Sequence, residues 1–321
     1  MIQEQVFITG VNGQDGSLLA NALINKGLTV SGVGKQVMPR TSLDSRVKYF
    51  SLDLRIPGQV AGLLDYLKPK YIFHFAAVHG NSKTMKILER NSTDDMFQVM
   101  VGTAQEILEW QLYHDRSSSY HALTSQMYSL SSSSGHDSKI TLNSKRSPSN
   151  YYAQCKSEIW DLILRFREKL SISATGLVEF NHTSLESKAE FLVPQLAKRL
   201  ASEIADHAEL LDIPGGDTRI DISHALDFVD AIVKITEDGH PYNDFILGSG
   251  KLVTINSLAS SALEYLGLPI SLSTQKQPAN NFGIYGDISA TVNDLNWCPK
   301  RDVSQLLAEV IRAELESLER R

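Results

Sequence analysis

The sequence predicts an α/β protein: a doubly wound parallel sheet with helices on both faces and a smaller C-terminal lobe. Short apolar runs alternate with helical patterns through the first half of the chain, as successive βα units do. A glycine-rich turn, Gly10, Gly13 and Gly16, joins the first such run to the first helical pattern. The length, 321 residues, suits one large domain carrying a lobe. The expected division is residues 1–172 for the sheet domain. Residues 173–321 then form mainly the lobe, with some segments returning to the sheet.

Val6-Phe7-Ile8-Thr9 is an apolar run ending at glycine, and it predicts the first strand. Leu18, Leu19, Ala22 and Leu23 recur at helical spacing, and Gly27 stands where a helix-terminating glycine belongs. Further strands are expected at 28–33, 47–52, 71–76, 120–123 and 174–179. Helices are expected at 60–67, 96–113, 152–170, 191–208, 227–236 and 304–318. Gly267 with Leu268-Pro269 marks a turn, and the serine-rich stretch 130–149 shows no periodicity and predicts a surface loop or connector.

Composition narrows the function classes. The chain is 42% hydrophobic and 21% charged, which fits a globular core. Its net charge is −6 with no basic cluster, so nucleic acid is not the expected partner. No apolar run reaches the roughly 18 residues of a membrane helix. With two cysteines and no secretory signal, a cytoplasmic enzyme with reduced thiols is expected. No His/Cys/Asp cluster has metal-ligand spacing, so no metal is expected.

The turn Gly10-Val11-Asn12-Gly13-Gln14-Asp15-Gly16 follows a strand and opens a helix. In that context the first glycine permits the sharp turn, the second lets backbone approach a pyrophosphate, and the third lets helix and strand pack closely. The helix N-terminus then faces the phosphates, as in a Rossmann-type dinucleotide site. The second strand ends Gly34-Lys35-Gln36, without the carboxylate that reads a ribose 2′-hydroxyl. Lys35, with Arg40, is placed to meet a 2′-phosphate, so NADP(H) is the expected cofactor; a solvated strand-end lysine is the alternative. Asp53, after the third strand, is expected at the adenine edge or, alternatively, in a plain turn.

Tyr152 and Lys156 are four residues apart and share one helix face. A lysine cation beside a phenol lowers its pKa, which suits proton exchange with a sugar hydroxyl or carbonyl. Thr124-Ser125 ends the preceding strand at the sheet's carboxyl edge, where ligands bind.

Taken together, these segments resemble the extended short-chain dehydrogenase/reductase family and, within it, the GDP-mannose 4,6-dehydratase branch. The resemblance rests on 8–17, Thr124-Ser125-Gln126-Met127-Tyr128, Tyr152 to Lys156 and Phe180-Asn181-His182. It continues through Arg219-Ile220-Asp221, His224, Asp227-Phe228-Val229 and Asn296-Trp297 with Pro299. It implies Thr124, Gln126, Tyr152 and Lys156 as the catalytic positions, with Tyr152 and Lys156 also touching the cofactor. It also implies a cofactor site of Gly10, Asn12, Gly13, Gln14, Asp15, Gly16, Lys35, Arg40, Asp53, Leu54, Ala76 and Ala77. Substrate contacts would come from His79, Ser125, Asn181, Lys188 and Arg219.

The sequence departs from that branch at two places. The branch carries a carboxylate two residues after the catalytic threonine, and here Gln126 stands there. An amide has no ionisable proton to exchange at neutral pH, so loss of water across C5 and C6 is expected to fail while hydride transfer at C4 survives. The second departure lies among the phosphate-binding arginines: the run after His182 is Thr183-Ser184-Leu185-Glu186-Ser187-Lys188, and a later Arg-Pro becomes Gln277-Pro278. Arg219 remains, with Lys188 or Lys198 as helpers, so a nucleotide other than GDP is also open.

The leading expectation is therefore a nucleotide-sugar reductase or epimerase acting at C4, with a GDP-hexose as the foremost substrate. Two alternatives stand beside it. One is a 4,6-dehydratase that recruits another acid, Asp137 or Glu158. The other is a catalytically degenerate NADP(H)-binding regulator. Helices 96–113 and 152–170 are expected to pair across a two-fold axis in a homodimer, through Trp110, Leu112, Trp160 and Leu164, unless those residues pack on their own sheet.

Overall fold

A computed structural model of the chain describes residues 4–78, 90–114, 116–129, 136–208, 210–238, 243–268, 271–272 and 282–320. His79, Asn81 and Gln277-Pro278 lie outside the described residues. In chain order the elements begin β1 (Gln5–Thr9), α1 (Gln14–Asn25), β2 (Thr29–Gly34), β3 (Lys48–Ser51), α2 (Gln59–Leu67), β4 (Tyr71–His74), α3 (Arg90–Phe97) and α4 (Thr103–Gln111). Next come β5 (Ser118–Ala122), β6 (Ser138–Ile140), α5 (Tyr151–Leu170), β7 (Ala174–Glu179), β8 (Asn181–Thr183) and α6 (Leu192–Ala205). After β9 (Leu210–Leu211), β10 (Arg219–Ile220) and β11 (Ile222–His224) come α7 (Ala225–Asp238), β12 (Phe245–Leu247), β13 (Val253–Thr254) and α8 (Ile255–Tyr265). The chain closes with β14 (Ser271–Leu272), β15 (Ile284–Gly286), α9 (Ser289–Leu295) and α10 (Val303–Glu319).

Seven strands form one parallel sheet in the order β12-β7-β5-β4-β1-β2-β3. This is the doubly wound α/β fold that the sequence predicts. Its strand order reverses between β1 and β4, which opens a crevice at their carboxyl ends. Alternation along β1 shows why the strand is apolar throughout. Val6 and Ile8 pack with Leu19 and Leu23 of α1 and Phe228 of α7. Phe7 faces the other way, onto Val60 and Leu64 of α2. A strand buried on both faces cannot alternate apolar with polar. The lobe has its own core, in which Leu196 and Leu200 of α6, Leu258 and Leu263 of α8 and Leu307 and Ile311 of α10 meet.

Several expectations change. The helix expected at 96–113 begins at Arg90 and contains a π-helical turn, Gln98–Gly102, between α3 and α4. Met100 lies in that turn, and its carbonyl accepts from His74 Nε2 at 2.8 Å. The serine-rich stretch is not wholly loop, because β6 pairs in parallel with β15. Neither β12 nor α8 is anticipated by the sequence.

Of the four residues expected at a two-fold contact, Trp110 and Trp160 are buried within the chain itself, at 6% and 4% exposure. Trp110 donates to Asp65 at 2.8 Å and Trp160 to Asp244 at 3.1 Å. Their indole N–H groups find partners on their own fold, so these two residues follow the alternative of packing within the chain. Leu112 and Leu164 are exposed. Among the described residues no helix is long and apolar enough to cross a membrane.

Candidate active site

The glycine-rich turn fits a close approach of backbone. Gly10 has φ +74°, and a Cβ there would lie 2.8 Å from the backbone nitrogen of Ala76 at the end of β4. A Cβ on Gly16 would lie 2.8 Å from Val11 Cα, so α1 sits against its own turn only because that residue is glycine. Thr9 Oγ1 accepts from Ala76 N at 3.3 Å and bonds His74 Nδ1 at 2.8 Å. Burial, with Lys156 nearby, lowers the His74 pKa to about 3, so the ring is neutral. Its Nε2–H serves Met100 and its Nδ1 accepts from Thr9, which locks the switch-point floor. Leu54 and Ala76 are buried on the α2 face, and Ala77 packs on the α5 face.

The end of β2 holds the residues expected near the ribose. Asn12 Nδ2 donates to Gln36, Met38 O and Tyr49 Oη, and its Oδ1 accepts from Arg40 N at 3.1 Å. Lys35 is exposed. Arg40 is ion-paired with Glu186 and also reaches Ser17 Oγ at 3.3 Å, so its guanidinium is already engaged. Asp53 is paired with Arg55 at 2.6 Å, and that guanidinium pulls its pKa down to about 2.

At the next strand ends Thr124, Tyr152 and Lys156 come together. Asn150 caps α5 by accepting from Ala153 N at 2.9 Å, which fixes where the helix begins and so where Tyr152 stands. Lys156 is 1% exposed and donates to Ala122 O at 2.6 Å. Its Nζ lies 5.7 Å from the Tyr152 ring centroid. The Thr124 hydroxyl faces the Tyr152 phenol and favours its ionised form. The expected lowering of the phenol pKa is not what this arrangement produces. Burial, then the Glu179 and Asp15 carboxylates, push it up, against the smaller effect of Thr124. Burial also lowers Lys156 to about 8. Gln126 is exposed and accepts from Asn150 Nδ2 at 3.2 Å, while Ser125 is buried.

Glu179, which sequence reasoning missed, lies close enough to Tyr152 and Lys156 to act on both electrostatically. It ends β7 and is 8% exposed. One ligand atom each from Asp15, Glu179 and His182 lies within 4.8 Å of the others, a grouping that could in principle hold a cation. His182 has no lone pair to offer, because Nδ1 donates to Phe180 O at 2.8 Å and Nε2 meets Asp15 at 3.0 Å. Burial opposes its charge, but Asp15 and Glu179 outweigh that and push its pKa up to about 10. Gln14 Oε1 accepts from Ser184 at 2.9 Å and from Ser187. The glycine-rich turn is thus tied to the segment after β7 through both Gln14 and Asp15.

The residues assigned to the substrate are less gathered. Asn181 donates to Asp221 O at 3.0 Å and Lys188 is exposed. Arg219 is paired with Asp137 at 2.5 Å, and Asp137 also accepts from Gly283 N at 3.0 Å. Glu158 pairs with Arg165 at 3.2 Å. Both acids considered as replacements for a missing carboxylate are therefore already engaged.

Comparison with known proteins agrees with this geometry. The family model described as the NAD dependent epimerase/dehydratase family matches residues 6–248. The GDP-mannose 4,6 dehydratase of Cricetulus griseus is 22% identical, over 96% of this chain and 91% of its own length. Among solved structures, the UDP-glucuronic acid 4-epimerase of Bacillus cereus, with UDP-glucuronic acid and NAD, superposes with TM-score 0.78. It is 19% identical, over 98% of this chain and 99% of that one. The UDP-glucose 4-epimerase of Thermotoga maritima, with UDP-glucose, gives TM-score 0.79 at 16% identity, over 98% and 99%.

Proposed function

The chain belongs to the NAD dependent epimerase/dehydratase family, and on that premise we propose that it is an NADP(H)-dependent reductase or epimerase acting at C4 of a nucleotide-linked sugar. The observation that carries this reading is the gathered set Thr124, Tyr152 and Lys156 beside Gln126, an amide held by Asn150. The set can exchange a proton at a C4 oxygen, whereas the amide cannot serve a dehydration. A bound nicotinamide supplies the hydride. Tyr152, kept protonated by its surroundings, donates the proton to the C4 oxygen. Thr124, whose hydroxyl faces Tyr152, orients that oxygen, and Lys156 would hold the nicotinamide ribose. The turn suits a dinucleotide because Gly10 and Gly16, where a Cβ would strike the backbone of Ala76 and Val11, let the chain pack tightly enough to present the N-terminal N–H groups of α1 to a pyrophosphate. A GDP-linked 4-keto-6-deoxyhexose is the first substrate to try, and NADPH should be consumed with it. Absence of NADPH oxidation with every 4-keto-6-deoxy sugar nucleotide would overturn the reading, as would conversion of GDP-mannose to its 4-keto-6-deoxy product at an ordinary dehydratase rate.

NADP(H) is proposed over NAD(H) because Lys35 stands exposed at the end of β2 with no carboxylate in its strand-end segment. A 2′-phosphate carries close to two negative charges, so it gains from a cation there. A preference of at least tenfold, about 1.4 kcal/mol, is expected. Lys35→Glu should erase or reverse it, chiefly through repulsion. Isothermal titration with NADP+ and NAD+ decides: equal affinities in the wild type would remove the proposal. Arg40 contributes only by leaving Glu186.

A further inference from the structure

Glu179 is a carboxylate buried where a carboxylate is costly. It ends β7 at the carboxyl edge of the sheet. Leu177 packs beneath α1 and α7 and Val178 beneath α5, so alternation brings Glu179 out on the α1 side. The charged and titratable groups facing it are Asp15 from α1, His182 from β8, and Lys156 and Tyr152 from α5. Asp15 and His182 bond each other, and Lys156 bonds Ala122 O. Glu179 is 8% exposed, and the hydrogen bonds given above for Asp15, His182 and Lys156 run to one another or to backbone. The position lies between the turn that suits a pyrophosphate and the Tyr152–Lys156 pair that suits the nicotinamide ribose, and the nicotinamide itself joins that ribose.

We propose that Glu179 sets which redox form of the cofactor this protein holds more tightly, its carboxylate favouring the oxidised, positively charged ring. This rests on the reading above only in taking a nicotinamide dinucleotide as the ligand. Reduction removes one positive charge from the ring, so a nearby fixed charge acts on one form and not the other. In a poorly solvated site that difference is large. A carboxylate there promotes release of hydride from the reduced ring, and so drives the reductive direction.

Burial raises Glu179 to about 7, against the pull of His182 and Lys156. The carboxylate is therefore charged above that pH and neutral below it. The ratio of Kd for the reduced form to Kd for the oxidised form should rise with pH through this range. Burial lowers the Lys156 pKa as well, and its loss of charge acts in the same direction, so the variants isolate the Glu179 contribution.

The test titrates the full chain with NADP+ and NADPH, and separately with NAD+ and NADH, between about pH 5.5 and about pH 7.5. Each ratio is taken within one pair, so the 2′-group does not affect it. No sugar nucleotide is present, so failure of the C4 chemistry leaves the result intact. The ratio should rise roughly fivefold or more in the wild type, and by less than half as much in Glu179→Gln and in Glu179→Met, which is of similar length. A flat wild-type ratio would overturn the proposal whether or not the variants fold. An equal rise in either variant would overturn it too.

Discussion

Tyr152→Phe is expected to cut NADPH-dependent turnover by roughly 10²–10⁴-fold, the usual contribution of a positioned acid or base. The substitution removes one oxygen and little else. Asn150 still caps α5, and Lys156 still bonds Ala122 O, so the dinucleotide should bind within about twofold of wild type. The loss should fall on kcat rather than on KM, because the phenol's proton matters only as charge develops on the C4 oxygen. The direction of the phenol's shift makes the test sharper. Burial, Glu179 and Asp15 raise its pKa, so it remains protonated across the neutral range and is prepared to give a proton, not to take one. Reduction should therefore hold its rate as pH rises past neutrality, while the reverse oxidation lags. Turnover of Tyr152→Phe within tenfold of wild type would remove Tyr152 as the proton donor.

What the sequence makes legible divides along the range of the interactions involved. The strand, turn and helix around Gly10 to Gly16 are readable because every cue lies within twenty residues. Tyr152 and Lys156 are readable because helical spacing alone places them on one face. β12 is not: three apolar residues, Phe245-Ile246-Leu247, are too few to show a period, and only pairing with β7 makes them a strand. Ser138–Ile140 becomes a strand because Ile284–Gly286 lies alongside it. The same limit governs the site. Arg40 looks available for a phosphate until Glu186 approaches from the segment after β8. Glu179 looks like the ordinary polar end of a strand until α1 and β8 bury it. His182, in the middle of β8, is bonded both to the local Phe180 carbonyl and to Asp15 in the first turn of α1, and only the first partner is near in sequence.

Arg167→Met is expected to destabilise the fold by about 3–5 kcal/mol, the cost of stranding a buried charge. Asp244, just before β12, is 9% exposed at its side chain, and Arg167 is 11% exposed. Arg167 Nη2 donates to Asp244 Oδ2 at 2.5 Å, Trp160 Nε1 to the same oxygen at 3.1 Å, and Gly176 N to Oδ1 at 2.7 Å. One carboxylate thus holds α5 and β7 against the edge strand of the sheet. Methionine keeps most of the arginine's apolar volume, so the loss reports the charge and not a cavity. The two neutral donors remain, but they cannot replace a cation in so poorly solvated a place. Arg199→Met provides the contrast. Its pair with Glu203 sits one helical turn away at 44% and 27% exposure, where water screens both partners, and about 0.5 kcal/mol or less is expected. Urea denaturation of both variants measures the difference. Arg167→Met should lower the midpoint far more, with an unchanged slope. Equal, small losses would mean that water reaches Asp244 once the arginine is gone, and that burial is not what makes the pair matter.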